Sequence, residues 1–222
     1  MRVIVRTLSE LCITAGTLIV LFVVYVLFWT GVRADGAMSD QIDQLHRQWS
    51  RGTAPAASAP SRPAPYHYGE AFAIMYIPRF GFTWNKPVLE GTGRDVLAKG
   101  LAHYRGTARL GRTGNFAVAG HRRTYGDPFK DFPRLRPGDA VVLTDGTTWF
   151  TYRIDTGPYR TVPTDVAVID PVPGASGYRR PGRYLTLTTC DPEWGHSHRL
   201  IVWAHLDSTQ PVESGPPKAL RR

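Results

Sequence analysis

TLTTCDPEWGHSHRLIVWAHL, running from Thr186 to Leu206, is the stretch from which the architecture of this chain can be read. It divides into two strand-like runs, RYLTLTTC (Arg183–Cys190) and RLIVWAHL (Arg199–Leu206), each rich in β-branched and aromatic residues, around the loop DPEWGHSH. In the first run Leu185 and Leu187 alternate with Thr186, Thr188 and Cys190. Period-two geometry therefore sends the leucines to a core and the thiol to the opposite face, near a strand end. In the second run Leu200, Val202 and Ala204 form one face and Arg199 opens the other. If the two runs pair as a hairpin, Cys190 comes to lie beside Arg199.

Working outward, similar short runs bounded by Gly and Pro recur: AFAIMYIP (Ala71–Pro78), KPVLE (Lys86–Glu90), NFAVAG (Asn115–Gly120), AVVLTD (Ala140–Asp145), TTWFTYRID (Thr147–Asp155) and DVAVID (Asp165–Asp170). With the two above, this predicts eight strands. Asp145-Gly146 between two runs predicts a tight hairpin with positive φ at both positions. Only GRDVLAKGL (Gly93–Leu101) and a few loop turns look helical. Many short strands with turn punctuation and little helix predict an all-β domain, a small closed or nearly closed barrel.

The 222 residues allow one such domain with appendages. The formal charge of +9 comes almost wholly from scattered arginines, with lysine only at Lys86, Lys99, Lys130 and Lys218. No nucleic-acid motif accompanies it, so a solvated basic surface near an anionic membrane or wall is the reading, with no nucleic acid as partner. The run LCITAGTLIVLFVVYVLFWTGV, residues 11–32, lacks charge and is long enough to cross a bilayer, which takes ~20 apolar residues. Signal-peptide apolar cores run only ~7–15 residues, so a retained transmembrane anchor is expected. Arg2 and Arg6 before the span against Arg33 after it place residues 1–10 in the cytoplasm and the rest outside. Residues 33–69 are expected to hold a short stalk helix (Ser39–Trp49) and a Pro/Ala-rich tether (Ser50–Pro65), residues 70–207 the folded domain, and residues 208–222 a flexible C-terminal tail.

This layout isolates the thiol. Cys12 falls inside the anchor, and Cys190 is left unpaired in a compartment where structural cysteines normally bridge. A thiol with a reference pKa of ~8.5 becomes a nucleophile when a cation favours the thiolate and a proton carrier stands by. Arg199 supplies the cation. Of His103, His121, His196, His198 and His205, His121 ends the apolar run GNFAVAGH with a glycine beside it. The competing readings are a small buried hydrophobe and a metal site built from Cys190, His196, His198 and His205, which lacks a second cysteine and any zinc spacing. No Gly-x-Ser-x-Gly elbow or phosphate-binding glycine loop is present.

TLTTC matches the Thr-Leu-x-Thr-Cys signature of sortases, and an arginine nine residues on, in RLIVWA, stands where that family has its active-site arginine. HYRGTARLGRTGNFAVAGHRRTYGDPF (His103–Phe129) resembles the segment that carries the family's histidine, and LRPGDAVVL (Leu135–Leu143) the strand after it. The similarity covers roughly Ala71 to Leu206. It implies an eight-stranded sortase-type β-barrel, with Cys190 as nucleophile, His121 as general acid/base and Arg199 as stabiliser of substrate and oxyanion. Thr189 would assist the oxyanion through its backbone or hydroxyl.

The implied reaction is transpeptidation at the plasma membrane. The thiol cleaves the Thr–Gly bond of an LAXTG- or LPXTG-like sorting signal on a secreted protein, and an amine of the cell wall resolves the thioacyl-enzyme. No cofactor or metal is implied, and Asp155, Asp165 and Asp170 are too dispersed to suggest calcium. GHRRTYGDPF and the arginine- and alanine-rich composition look most like class E sortases of actinobacteria, which favour Leu-Ala-x-Thr-Gly. In that class a tyrosine reads the second signal position, here Tyr104 or Tyr125. A pilus-building sortase of class D or C type, or a non-catalytic tethered barrel that binds wall or peptide, are the alternatives. Asp191 and Glu193 beside the thiol are expected to oppose its ionisation.

Overall fold

In the computed structural model, which describes residues 2–52 and 65–221, the hairpin forms as β8 (Arg183–Asp191) and β9 (His198–Pro211), with Cys190 directly opposite Arg199. β9 runs past Leu206 because its second half finds another partner, β6 (Thr148–Ile154), with Ile154 opposite Ala204 and Thr148 opposite Pro211. The register shifts between Thr151, opposite Ser208, and Tyr152, opposite Leu206, so Asp207 is the extra residue of a bulge that bends the strand from one neighbour to the other. This hand-over closes the barrel. With β1 (Ala71–Tyr76), β2 (Asn85–Glu90), β3 (Leu101–His103), β4 (Gly114–Ala119) and β5 (Ala140–Thr144), the ring runs β6-β5-β1-β2-β3-β4-β8-β9 and back to β6.

Eight strands make the ring, as expected, but their membership differs from the sequence reading. DVAVID folds as a 3₁₀ turn, Val166–Ile169, and not as a strand. Two three-residue strands take up pairing in places where no strand was expected: β3 completes the ring, and β7 (Tyr159–Thr161) pairs with β9 outside it. Three residues are too few to display a period of two. The segment Arg94–Leu97 is a single helical turn, α2, as GRDVLAKGL suggested. The hairpin between β5 and β6 uses three linking residues, with positive φ at Gly146 alone. Asp145 acts through its side chain instead, its Oδ1 accepting the backbone N–H groups of Thr147 and Thr148, each at 2.9 Å.

The interior is filled by Phe116, Phe129, Phe132, Tyr152, Leu185, Leu187 and Val202, all at most 1% exposed. A second cluster lies outside the barrel wall, where Ile201 and Trp203 on the outer face of β9 pack under Val168 and Ile169. Trp203 Nε1 donates to the Val168 carbonyl at 3.0 Å, and the buried Thr186 hydroxyl donates to the same oxygen and to Asn115 Oδ1. The side of β8 and β9 away from the core is thus covered by the connection between β7 and β8, so the central residues of both faces are buried.

Two appendage expectations are corrected. Residues 208–222 are not a free tail: Ser208–Pro211 belong to β9, and short 3₁₀ turns follow at Val212–Ser214 and Lys218–Leu220. The stalk helix is not a separate element but part of one helix, α1 (Arg2–Gly52). Its apolar stretch Val3–Tyr25 has a mean hydropathy of 2.1 and is not buried, whereas Ala34, Met38 and Leu45 are buried on the barrel. Most of the expected tether lies outside the described residues.

Trp203→Ala removes a fully buried indole and the hydrogen bond that pins Val168. Chemical denaturation of the full chain in detergent should show a loss of about 3–5 kcal/mol, with residues 162–182 becoming sensitive to protease. A loss below about 1 kcal/mol would show that the covering segment is held by other contacts.

Candidate active site

β4 and β8 are adjacent and parallel, with Ala119 level with Thr188. One step further, Thr189 Oγ1 donates to the Gly120 carbonyl at 2.8 Å, while Gly120 N–H donates to the Thr188 carbonyl at 3.1 Å. The next residues in the two chains are His121 and Cys190. On the other side of β8, the antiparallel register sets Arg199 opposite Cys190. Three neighbouring strands therefore deliver thiol, imidazole and guanidinium to one end of the barrel, all three half-buried. Thr189 is buried and its hydroxyl donates to Gly120, tying the ends of β4 and β8 together, which leaves the backbone as the part of the residue that could assist an oxyanion.

Gly120 is needed for space. A β-carbon there would lie 2.6 Å from Phe129 Cδ2 and 2.7 Å from Leu101 Cδ2, so any larger residue would push His121 out of line. After His121 the chain turns sharply: Thr124, Tyr125 and Asp127 all have positive φ, uncommon for side-chain-bearing residues. Asp127 holds the turn, its Oδ1 accepting the Thr124 N–H at 2.7 Å, and Phe129 N–H donates to the His121 carbonyl at 2.9 Å. The Tyr125 ring lies 5.1 Å from the imidazole, tilted by 32°. Burial pushes the His121 pKa below its ordinary value, and the nearby Asp127 carboxylate offsets this only in part.

The carboxylates beside the thiol are paired. Asp191 accepts from Arg160 at 2.7 Å and from Arg122 at 2.6 Å, and these bonds hold its carboxyl below the usual carboxylate range, Arg160 contributing most. Arg122 also reaches the Cys190 carbonyl at 3.5 Å. Glu193 is bonded to Arg123, whose guanidinium lies over the Trp194 ring. The expected opposition to thiolate formation is therefore countered by three arginines that the sequence reading did not single out. Two of them were visible in GHRR, but Arg160 is carried by β7, whose existence was not legible.

Arg199 Nη1 donates to the carbonyls of His196 and His198, fixing the guanidinium on the loop backbone. Among the described residues no hydrogen bond joins the Cys190 thiol to His121 or Arg199. Three of the other candidate histidines have partners of their own. His103 is buried against Glu90, Nδ1 to Oε2 at 2.5 Å, His198 Nδ1 accepts from Arg160, and His205 is paired with Asp155. No group of three or more His, Cys, Asp or Glu among the described residues is arranged to hold a metal ion.

Both tyrosine candidates border the site, at different points. Tyr104 OH lies 3.1 Å from Thr188 Oγ1, on the face of β8 that carries Cys190, whereas Tyr125 stands over His121. Further along β4 a cavity of about 490 Å³ opens between the β3–β4 connection and the 3₁₀ segment, lined by Arg105, Thr107, Asn115, Val166, Ile169 and Pro171. This cavity lies at the start of β4, where Gly114 and Asn115 pair with Arg183 and Tyr184, at the other end of the two parallel strands from Cys190.

A family model, the sortase domain, matches residues 75–207. Sortase SrtE1 of Streptomyces coelicolor is 36% identical over 97% of this chain, which spans 60% of that relative's length. The structure of sortase E from Streptomyces avermitilis is 80% identical over 70% of this chain and all of its own, with a TM-score of 0.67. The crystal structure of sortase E1 from Streptomyces coelicolor, which has a tripeptide in the active site, is 38% identical over 70% of this chain and 99% of its own, with a TM-score of 0.65. With barrel, signature and relatives in agreement, this chain belongs to the sortase family of cysteine transpeptidases and is class E-like.

Proposed function

We propose that this chain is a membrane-anchored transpeptidase that cleaves the Thr–Gly bond of an LAXTG-like sorting signal on secreted proteins and joins the threonine carbonyl of the substrate protein to an amine of the cell wall. The observation that carries the reading is the convergence of Cys190, His121 and Arg199 at one end of β4, β8 and β9.

The His121 imidazole, kept neutral at pH 7 by burial, accepts the thiol proton as Cys190 Sγ attacks the threonine carbonyl carbon. Arg199 donates to the oxyanion from a guanidinium already fixed on backbone carbonyls, so little reorganisation accompanies the charge. The C–N bond then breaks, His121 returns its proton to the leaving glycine amine, and Cys190 holds the acyl group as a thioester. An incoming amine attacks the thioester carbonyl, His121 takes the amine proton, and the thiolate leaves and is reprotonated. Tyr104 is the reader of the second signal position on this reading, supported over Tyr125 by its contact with Thr188, two residues before Cys190. The apolar part of α1 is the anchor, with the N-terminus cytoplasmic and the barrel outside.

The test is mass spectrometry of the full chain in detergent with Leu-Ala-x-Thr-Gly and Leu-Pro-x-Thr-Gly peptides and an oligoglycine or diaminopimelate amine. A Cys190 thioacyl adduct and an amine-joined product are expected, with the alanine peptide preferred and the preference weakened in Tyr104→Ala. Absence of both adduct and cleavage with either peptide would move the reading to a binding barrel. Cys190→Ala should abolish adduct and product together. His121→Ala should lower turnover by about 100- to 10,000-fold, and Arg199→Ala should leave a weak residue of activity. Turnover surviving in Cys190→Ala would end the mechanism.

The His121 ring should titrate below the reference value of about 6.5 when followed by NMR. Burial disfavours the imidazolium, so base capacity persists as pH falls through that value and is lost only further down. Asp127→Asn removes the opposing charge and should move the midpoint lower still. A midpoint at or above the reference would mean that the imidazole rests charged.

A further inference from the structure

The second half of α1 lies along the barrel as a fitted part. Ala34, Met38 and Leu45 are at most 4% exposed, and steps of four and seven residues place them, with Trp49, on one helical face. The barrel has glycine where that face comes closest. A β-carbon at Gly126 would stand 2.5 Å from Met38 Cε and 2.6 Å from Asp35 Oδ1, and one at Gly146 would stand 2.3 Å from Trp49 Cδ2. Asp35 is also 3.5 Å from Lys86 Nζ, beside the start of β2.

Gly126 belongs to the turn that follows His121. Backbone in sparsely populated conformations persists only where its surroundings over-determine it. Here Arg123 is held by Glu193 on one side, while Asp35 and Met38 press on Gly126 from the other. Between helix and turn remains a cavity of about 260 Å³ bounded by Gly31, Asp35, Tyr125, Asp127 and Trp194. α1 therefore forms one wall of the space next to the ring that backs the imidazole.

We propose that the segment Gly31–Trp49 of α1 is a working part of the active site, in which Asp35 and Met38 are positioning residues that hold the turn Arg122–Pro128, and with it Tyr125, over His121. This rests on His121 being the general acid/base. Loosening the helix frees the turn and lets water reach the imidazole. The charged groups that face this region are Asp127, Arg122 and Arg123 from the turn, Asp191 and Glu193 from the β8–β9 hairpin with Arg160 from β7, Arg199 from β9, and Asp35 from α1. α1 is continuous from its apolar stretch, and Asp35 lies ten residues beyond Tyr25, about 15 Å along the axis. With the apolar stretch in a bilayer, the same docking holds the catalytic turn close to the membrane surface.

The experiment uses the full chain in lipid nanodiscs with Met38→Asp, Leu45→Asp and Met38→Leu. Leu45 lies two helical turns beyond Met38, beside Gly69–Ala71, so its variant undocks the helix at a distance from the turn. Both Asp variants should raise hydrogen exchange across residues 121–129 by about tenfold and move the His121 titration up toward about 6.5 as burial is lost. Both should also lower kcat by about tenfold with KM changed far less, and Met38→Leu should match the parent chain in every measure. Unchanged exchange and titration in either Asp variant would overturn the proposal whatever happens to turnover. A chain that is inert toward every peptide, yet whose exchange and titration respond, would retire the transpeptidase reading while supporting the docking.

Discussion

The parallel pairing of β4 with β8 is the constraint on which the rest of this structure depends. Antiparallel neighbours place their C-terminal ends at opposite edges, whereas parallel ones bring them to the same edge. That is what puts His121 and Cys190 side by side although they are far apart in sequence. The Thr189–Gly120 hydrogen bond fixes the alignment one residue before each. It is buried, so losing either partner would strand a polar group, at about 1–3 kcal/mol. A parallel pair also requires a long crossover. Between β4 and β8 the chain builds β5, β6 and β7 and then lays residues 162–182 over the outside of the barrel, which accounts for the burial of Thr186, Ile201 and Trp203. Antiparallel closure of β6 on β9 then seals the ring.

The same end of the barrel solves an electrostatic problem that the local sequence poses. Asp191 and Glu193 immediately follow the nucleophile, and unpaired they would resist negative charge on sulfur. Arg160 and Arg122 bracket Asp191, and Arg123 takes Glu193. The pairs are partly exposed, so their contribution to stability is small. Their importance is local: they remove an uncompensated negative field beside the thiol and hold the β8–β9 loop that carries His196 and His198, whose carbonyls in turn orient Arg199.

Much of this was legible in the sequence, and the failures have physical causes. Long alternating runs such as TTWFTYRID and RYLTLTTC read correctly because one face of each meets the core. DVAVID has the same alternation, yet Val168 is buried not in the barrel but against Trp203, so apolar spacing alone could not distinguish strand from turn. β3 and β7 are too short to carry a pattern. Cys190 and Arg199 followed from strand register, and His121 from its place at a strand end. Arg160 could not be found without β7, and the docking of α1 could not be found at all, because Met38 and Trp49 gain meaning only from the glycines they meet. The tail was misread for a similar reason: DSTQP is polar, and its strand state comes from β6 alone.

A neutral imidazole and a permanently charged guanidinium at one strand end say something about when charge arises in the cycle. Burial disfavours the imidazolium of His121, so in the proposed mechanism proton transfer from the thiol is drawn by the reaction. A peptide bound over the half-buried thiol would displace water from it and strengthen each interaction there. In the proposed mechanism Arg199 then meets the developing oxyanion, while the nearest carboxylates are already paired with other arginines. The charge separation that would be costly in the empty site thus becomes favourable only when the substrate completes it. On that reading the reactivity of the thiol is coupled to occupancy of the site by substrate, and the thiol stays guarded in between.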